Sequence, residues 1–133
     1  MTARDGIDWA ALKTAALAAQ ARAYVPYSNY RVGAALLTES GEIVAGCNVE
    51  NATYGATCCA ERTAVFAAVA AGHRAFRAVA VVINGTAPGT PCGICRQVLA
   101  EFGNDLEVLC FTPEGNESRY SLSELLPHAF TLK

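Results

Sequence analysis

Between Trp9 and Ala23, apolar residues recur at Leu12, Ala16, Ala19 and Ala23, one stripe at helical spacing that Asp8 is placed to cap. Pro26 predicts the end of that helix, because the residue before a proline is pushed out of helical geometry. Arg31 to Thr38 and Glu42 to Val49 read as two strands of a hairpin around a Glu39-Ser40-Gly41 turn. Cys59 to Ala71 predicts a second helix, stopped by Gly72. Ala78 to Ile83 is continuously apolar, the pattern of a strand covered on both faces. Gly93 to Phe102 predicts a third helix and Leu106 to Phe111 another buried strand. A turn near Pro113 to Asn116 then leads to a short strand around Arg119 and Tyr120. Ser121 and Glu124 have capping-box spacing and open a final short helix.

This order predicts an α/β fold over residues 1–133 as a single domain: three layers, α/β/α, with a central mixed five-stranded sheet. The third and fourth strands are joined through a helix and are expected to be parallel. No repeat, low-complexity tract or linker interrupts the chain. Two cysteine-bearing segments, Cys59-Ala60-Glu61-Arg62 and Pro91-Cys92-Gly93-Ile94-Cys95, both fall where a loop ends and a helix begins.

Composition narrows the partners. The chain has 133 residues and is 53% hydrophobic, much of it alanine in short runs that suit close helix packing, including packing between subunits. A net charge of -2, with no run of Lys or Arg, argues against a nucleic-acid partner. Residues 1–10 lack an apolar signal core and no apolar stretch is long enough to cross a bilayer. The expectation is a cytoplasmic protein with no membrane partner.

In a reducing compartment, a C-x-x-C segment reads as metal-binding or redox-active rather than as a disulfide framework. A thioredoxin-type pair of Cys92 and Cys95 would leave Cys59 and Glu61 without a role. Three thiolates leave a tetrahedral zinc one ligand short, the arrangement of a catalytic site, and Glu61 could handle protons in the remaining space. A fourth thiolate from Cys47, Cys58 or Cys110 would instead make a structural zinc site and a non-catalytic interaction module. Cys47 and Cys110 lie in strand-like runs, where small core residues are the simplest reading. Zinc with three thiolates carries a net charge of about −1, which opposes ionising a water upon it. Arg62 and the two helix N-termini are placed to offset that charge. Helical spacing leaves one choice open, because Cys58 and Glu61 share a helix face whereas Cys59 and Glu61 do not. His73 and His128 read as exposed and are not proposed as ligands.

C-A-E-R followed by P-C-G-x-C-R-Q resembles the zinc-dependent cytidine deaminases of the small homotetrameric kind. The likeness extends through Tyr24 to Ser28, Val32 to Ala35, Gly46 to Asn51 and Leu125 to Phe130. The resemblance implies a cytidine deaminase-like fold and hydrolytic deamination of cytidine and 2′-deoxycytidine, with release of ammonia, in pyrimidine salvage. It also implies one Zn2+ per subunit on Cys59, Cys92 and Cys95, with Glu61 as the catalytic proton shuttle and Arg62 beside the thiolates. Asn48 and Glu50 would bind the ribose hydroxyls. Tyr30, where the family usually has phenylalanine, would pack on the pyrimidine, and the backbone around Ala60 would contact the base. Tyr54 and Phe130 would reach a neighbouring subunit's site in a homotetramer. A related deaminase acting on another aminopyrimidine, such as a nucleoside antibiotic, is the alternative within enzymes.

Overall fold

In the computed structural model, which describes residues 6–132, strand alternation sorts the core onto two faces of one sheet. The elements run α1 (Trp9–Gln20), β1 (Val32–Thr38), β2 (Ile43–Cys47), α2 (Ala60–Ala70), β3 (Phe76–Ile83), α3 (Gly93–Ala100), β4 (Glu107–Phe111), β5 (Glu117–Ser121) and α4 (Leu122–Leu125). A short 3-10 turn, Tyr54–Ala56, precedes α2. The sheet order is β2-β1-β3-β4-β5. The β3–β4 pair is parallel, as the helical crossover predicts, and the other neighbouring pairs are antiparallel.

Ala34 and Leu36 of β1, Val79 and Val81 of β3, and Val108 and Cys110 of β4 point to one face. There they pack with Ala60, Ala64 and Val65 of α2, Leu99 of α3 and Leu122 of α4. The alternate residues Ala35, Leu37, Ala78, Ala80, Val82, Leu109 and Phe111 point the other way, onto Leu12 and Ala16 of α1. Helices on both faces of a mixed five-stranded sheet make the three-layer α/β/α architecture expected from the sequence.

The small residues facing α1 let its backbone lie close to β1. A Cβ on Gly33 would come 2.0 Å from the Ala16 carbonyl oxygen, so this contact admits only glycine. Gly46 does the same for α2, where a Cβ would meet Ala64 N at 2.5 Å and Ala60 O at 2.8 Å. Part of the alanine-rich surface is therefore consumed within the chain.

The elements differ from expectation mainly at their ends. The first helix stops at Gln20, not near Pro26, although the predicted stripe Leu12, Ala16, Ala19 and Ala23 is buried throughout. Arg22 N and Ala23 N bond three residues back, and Tyr24 is then taken by backbone pairing: Tyr24 N donates to Asn48 O and Glu50 N to Tyr24 O. Tertiary pairing ends this helix before the proline is reached. Cys59 and Ala71 prove to be the caps of α2 rather than helical residues. Gly72 follows at φ 102°, the left-handed conformation that suits a helix stop. Glu124 accepts the Ser121 backbone N–H at 2.7 Å, as capping-box spacing predicts.

Candidate active site

Two helices begin at the same point. Cys59 is the N-cap of α2 and Cys92 the N-cap of α3, both with extended backbone, and Cys95 lies in the first turn of α3. Their three Sγ atoms all lie within 4.8 Å of one another, with Cys59 and Cys92 at 3.9 Å. A tetrahedral zinc with Zn–S bonds of about 2.3 Å separates its sulfurs by about 3.8 Å, so the thiol set has the dimensions and the chemistry for that ion. Cys47, Cys58 and Cys110 stand outside the cluster. Cys110 is buried in β4, as a small core residue should be, and burial pushes its thiol up to about 12.

The backbone places Cys58 and Cys59 differently. Cys58 exchanges two hydrogen bonds with Val49, its N to Val49 O at 2.9 Å and Val49 N to its O at 3.0 Å. That bridge holds Cys58 in the segment leading to the helix and leaves Cys59 as the cap.

The cluster carries its own charge compensation. Arg62 Nη2 donates to Cys59 Sγ at 3.3 Å, as anticipated. The hydrogen bond from Cys95, supported by Arg62, brings the Cys59 thiol down to about 5, against desolvation. Cys95 shifts upward because its proton is shared with Cys59 and because it is buried.

Glu61 is only 4% exposed, and its Oε1 has no hydrogen-bond partner among the described residues. Burial first, and the neighbouring Cys59 thiolate second, push its carboxyl up to about 7, with Arg62 opposing the rise. A carboxyl that is protonated and deprotonated with equal ease near neutrality is suited to carrying protons in both directions. Glu61 lines a cavity of about 200 Å³ together with Tyr30, Asn48, Cys59 and Ala60.

Asn48 is 9% exposed and braces this cavity. Its Oδ1 accepts from Val32 N at 2.9 Å and its Nδ2 donates to Tyr30 O at 2.8 Å. One N–H and one lone pair of the amide remain for a ligand. The Tyr30 phenol is pushed up by burial and by Glu61.

Glu50 lines an adjoining cavity of about 390 Å³ with Tyr27, Ser28, Tyr54 and Thr57, and Thr57 borders both spaces. Its Oε1 accepts from Tyr27 N at 2.9 Å and Ser28 N at 3.1 Å, and Oε2 accepts from the Ser28 hydroxyl. The Ser28 hydroxyl lowers this carboxyl from its ordinary value most, and the two backbone donors add to the effect.

Two predicted contacts lie apart from the metal-side cavity. Tyr54 is 78% exposed on its 3-10 turn, its ring edge-on to Tyr27 at 6.3 Å. Phe130 is 69% exposed and lines neither cavity; its backbone is held by Gln97 on α3. His128 is exposed as expected, whereas His73 is partly covered and pairs with Glu42 at 2.6 Å.

Several contributors were not identified from sequence. Ser28, Thr57, Gly89 and Thr90 reach the cavities from loops that only the tertiary topology brings together. Arg96 anchors Thr90 and Pro91, and its position four residues after Cys92 was a legible signal.

Residues 8–111 match the family model described as the cytidine and deoxycytidylate deaminase zinc-binding region. The cytidine deaminase of Sporosarcina psychrophila is 51% identical over 114 residues, covering 85% of this chain and 84% of that protein. That of Halalkalibacterium halodurans is 50% identical over 117 residues, covering 87% and 89% respectively. A crystal structure of cytidine deaminase from Burkholderia pseudomallei superposes with a TM-score of 0.89 at 51% identity, covering 93% of this chain and 100% of that one. One from Mycobacterium tuberculosis gives 0.81 at 44% identity, covering 95% and 99%.

Proposed function

The chain belongs to the cytidine and deoxycytidylate deaminase family, and from that membership we propose that it is a cytidine deaminase acting on cytidine and 2′-deoxycytidine in pyrimidine salvage. The observation that carries the reading is a buried glutamate with one unpartnered oxygen, lining a cavity together with Cys59, one of three convergent thiols. The reaction consumes one water and releases one ammonia per uridine or 2′-deoxyuridine formed.

Cys59, Cys92 and Cys95 would hold the zinc, one ion per subunit. When bound, it supplies a Lewis acid that makes water acidic enough at neutral pH to add to C4 of the pyrimidine. Glu61 would take a proton from the attacking water and give it to ring N3, then move the proton of the hydroxyl added at C4 to the amine, so that ammonia leaves as the C4 carbonyl forms. Arg62 draws charge from Cys59, and the N-terminal ends of α2 and α3 act in the same sense. The Ala60 backbone and the Tyr30 ring orient the base. Asn48 and Glu50 take the ribose hydroxyls with the hydrogen-bonding capacity their internal partners leave free.

The substrate is a nucleoside rather than a nucleotide, because among the described residues no Lys or Arg lines either cavity. Tyr54 and Phe130, both exposed, serve a neighbouring subunit's site in a homotetramer. Among the described residues no helix is long and apolar enough to cross a membrane, which agrees with the cytoplasmic location we propose.

The test is to incubate purified, zinc-replete protein with cytidine and follow uridine, with and without a zinc chelator. Chelator-sensitive uridine formation is expected. Folded, zinc-loaded protein that forms no uridine refutes the substrate assignment. A zinc-edge absorption spectrum with four sulfurs would instead indicate the non-catalytic module.

A further inference from the structure

Arg96 is the residue at which the metal loop and the end of the chain meet. It stands four positions after Cys92, and long helical side chains lean towards the helix N-terminus, so its guanidinium reaches back past the start of α3. Each nitrogen holds a different acceptor. Nε donates to Pro91 O at 2.7 Å, Nη2 to Thr90 Oγ1 at 2.8 Å, and Nη1 to Leu125 O at 2.8 Å. The Pro91 carbonyl belongs to the planar peptide that ends on the Cys92 Cα, so anchoring that oxygen fixes where Cys92 begins. Cys92 needs such an anchor: it is exposed, whereas Cys95 is fully buried and fixed by packing.

The third acceptor lies elsewhere in the sequence. Leu125 O is at the end of α4, where no further turn offers an N–H. The next residue on α3 continues the connection. Gln97 Nε2 donates to Phe130 O at 2.7 Å and Gln97 Oε1 accepts from Phe130 N at 3.2 Å. This two-point bond fixes the Phe130 backbone while the residue as a whole remains 69% exposed.

We propose that Arg96 and Gln97 form a clamp coupling the zinc loop to the C-terminal segment, residues 126–132. Arg96 is a positioning residue for Cys92, and Gln97 holds the segment in the place Arg96 sets. Zinc loading orders the segment, and by thermodynamic reciprocity an ordered segment tightens zinc. This coupling rests on the zinc reading of the preceding subsection.

The test compares wild-type protein with Arg96→Gln, Arg96→Lys and Gln97→Ala. Zinc affinity is measured by competition with a chromophoric chelator, and backbone amide exchange is followed over residues 128–132 in zinc-loaded and zinc-stripped protein. Arg96→Lys keeps the charge and guards against misfolding, yet one ammonium does not reproduce the planar fork that reaches three separated acceptors. Both Arg96 variants are expected to lose about 10- to 100-fold in zinc affinity, the usual effect of losing an outer-shell partner. Their amide exchange over residues 128–132 rises even when loaded, and stripping zinc raises it in the wild type. Gln97→Ala speeds exchange at Phe130 with a smaller loss of affinity. Wild-type affinity in Arg96→Lys, or exchange over residues 128–132 indifferent to zinc, overturns the coupling. Failure of the zinc reading is separately visible, because the wild type itself would then take up no zinc.

Discussion

Cys59 and Glu61 stand two positions apart yet line one cavity, because Cys59 is the extended N-cap of α2, at φ −70° and ψ 155°, and Glu61 lies in the helix's first turn. Within a regular helix that spacing would send the two side chains to different faces. Cap geometry thus places a thiol over the helix end, with the carboxyl beside it. Cys58, engaged with Val49 through its backbone, has its sulfur outside the thiol cluster. Cys59→Ala is therefore expected to abolish stoichiometric zinc, and Cys58→Ala to retain it. Elemental analysis of both purified variants checks this, and the reverse pattern would overturn the ligand set.

Glu61→Gln keeps the shape of the side chain and removes its ability to take up and release a proton. Turnover of cytidine is expected to fall on the order of 10²- to 10⁴-fold or more, with zinc content unchanged. Near wild-type turnover in a zinc-loaded Glu61→Gln protein would show that the proton is carried elsewhere.

Glu50 supplies the pH dependence. Its folded-state pKa lies below the ordinary value because Ser28 and Tyr27 donate to the carboxylate. The stability it contributes is present above the ordinary, unfolded value and is lost as pH falls through the lower, folded one. Ser28→Ala removes the strongest donor, so the folded pKa should return towards the unfolded one, stability above that value should fall, and the acid limb should become shallower. Thermal melts of the two proteins across the acid range measure this; coincident acid limbs would remove Ser28 as the cause. At neutral pH the carboxylate remains an acceptor, as binding hydroxyls requires.

Much of this architecture was legible because the signals were local. The stripe on α1, the doubly buried run of β3 and the Ser121–Glu124 box each depend on residues within a few positions of one another. The thiols, Glu61 and Arg62 were legible because their chemistry is unusual and their spacing is tight. The end of α1 was not, since it is decided by pairing of Tyr24 with Asn48 and Glu50 across the fold. The bracing role of Asn48 was hidden in the same way, because its partners Tyr30 and Val32 lie on another segment. Phe130 shows the limit most clearly: its proposed role requires a second subunit, and within one chain it lies on Gln97 away from the cavity.

Gly46 should link packing to metal binding in a way Gly33 does not. A methyl group at Gly46 would press on Ala60 O and Ala64 N, the backbone of the helix whose cap is Cys59. A methyl group at Gly33 would press on Ala16 O and Gln20 N of α1, a helix that contributes no thiol. Both substitutions to alanine overpack backbone against backbone, and each is expected to cost about 1–3 kcal/mol of stability. Only Gly46→Ala should also move Cys59 relative to Cys92 and Cys95. Its zinc affinity should therefore fall well below that of Gly33→Ala at comparable stability loss. Denaturant titration gives the first quantity and chelator competition the second. Equal zinc affinity in the two variants would mean that the seat of α2 on β2 does not set the geometry of the thiol cluster.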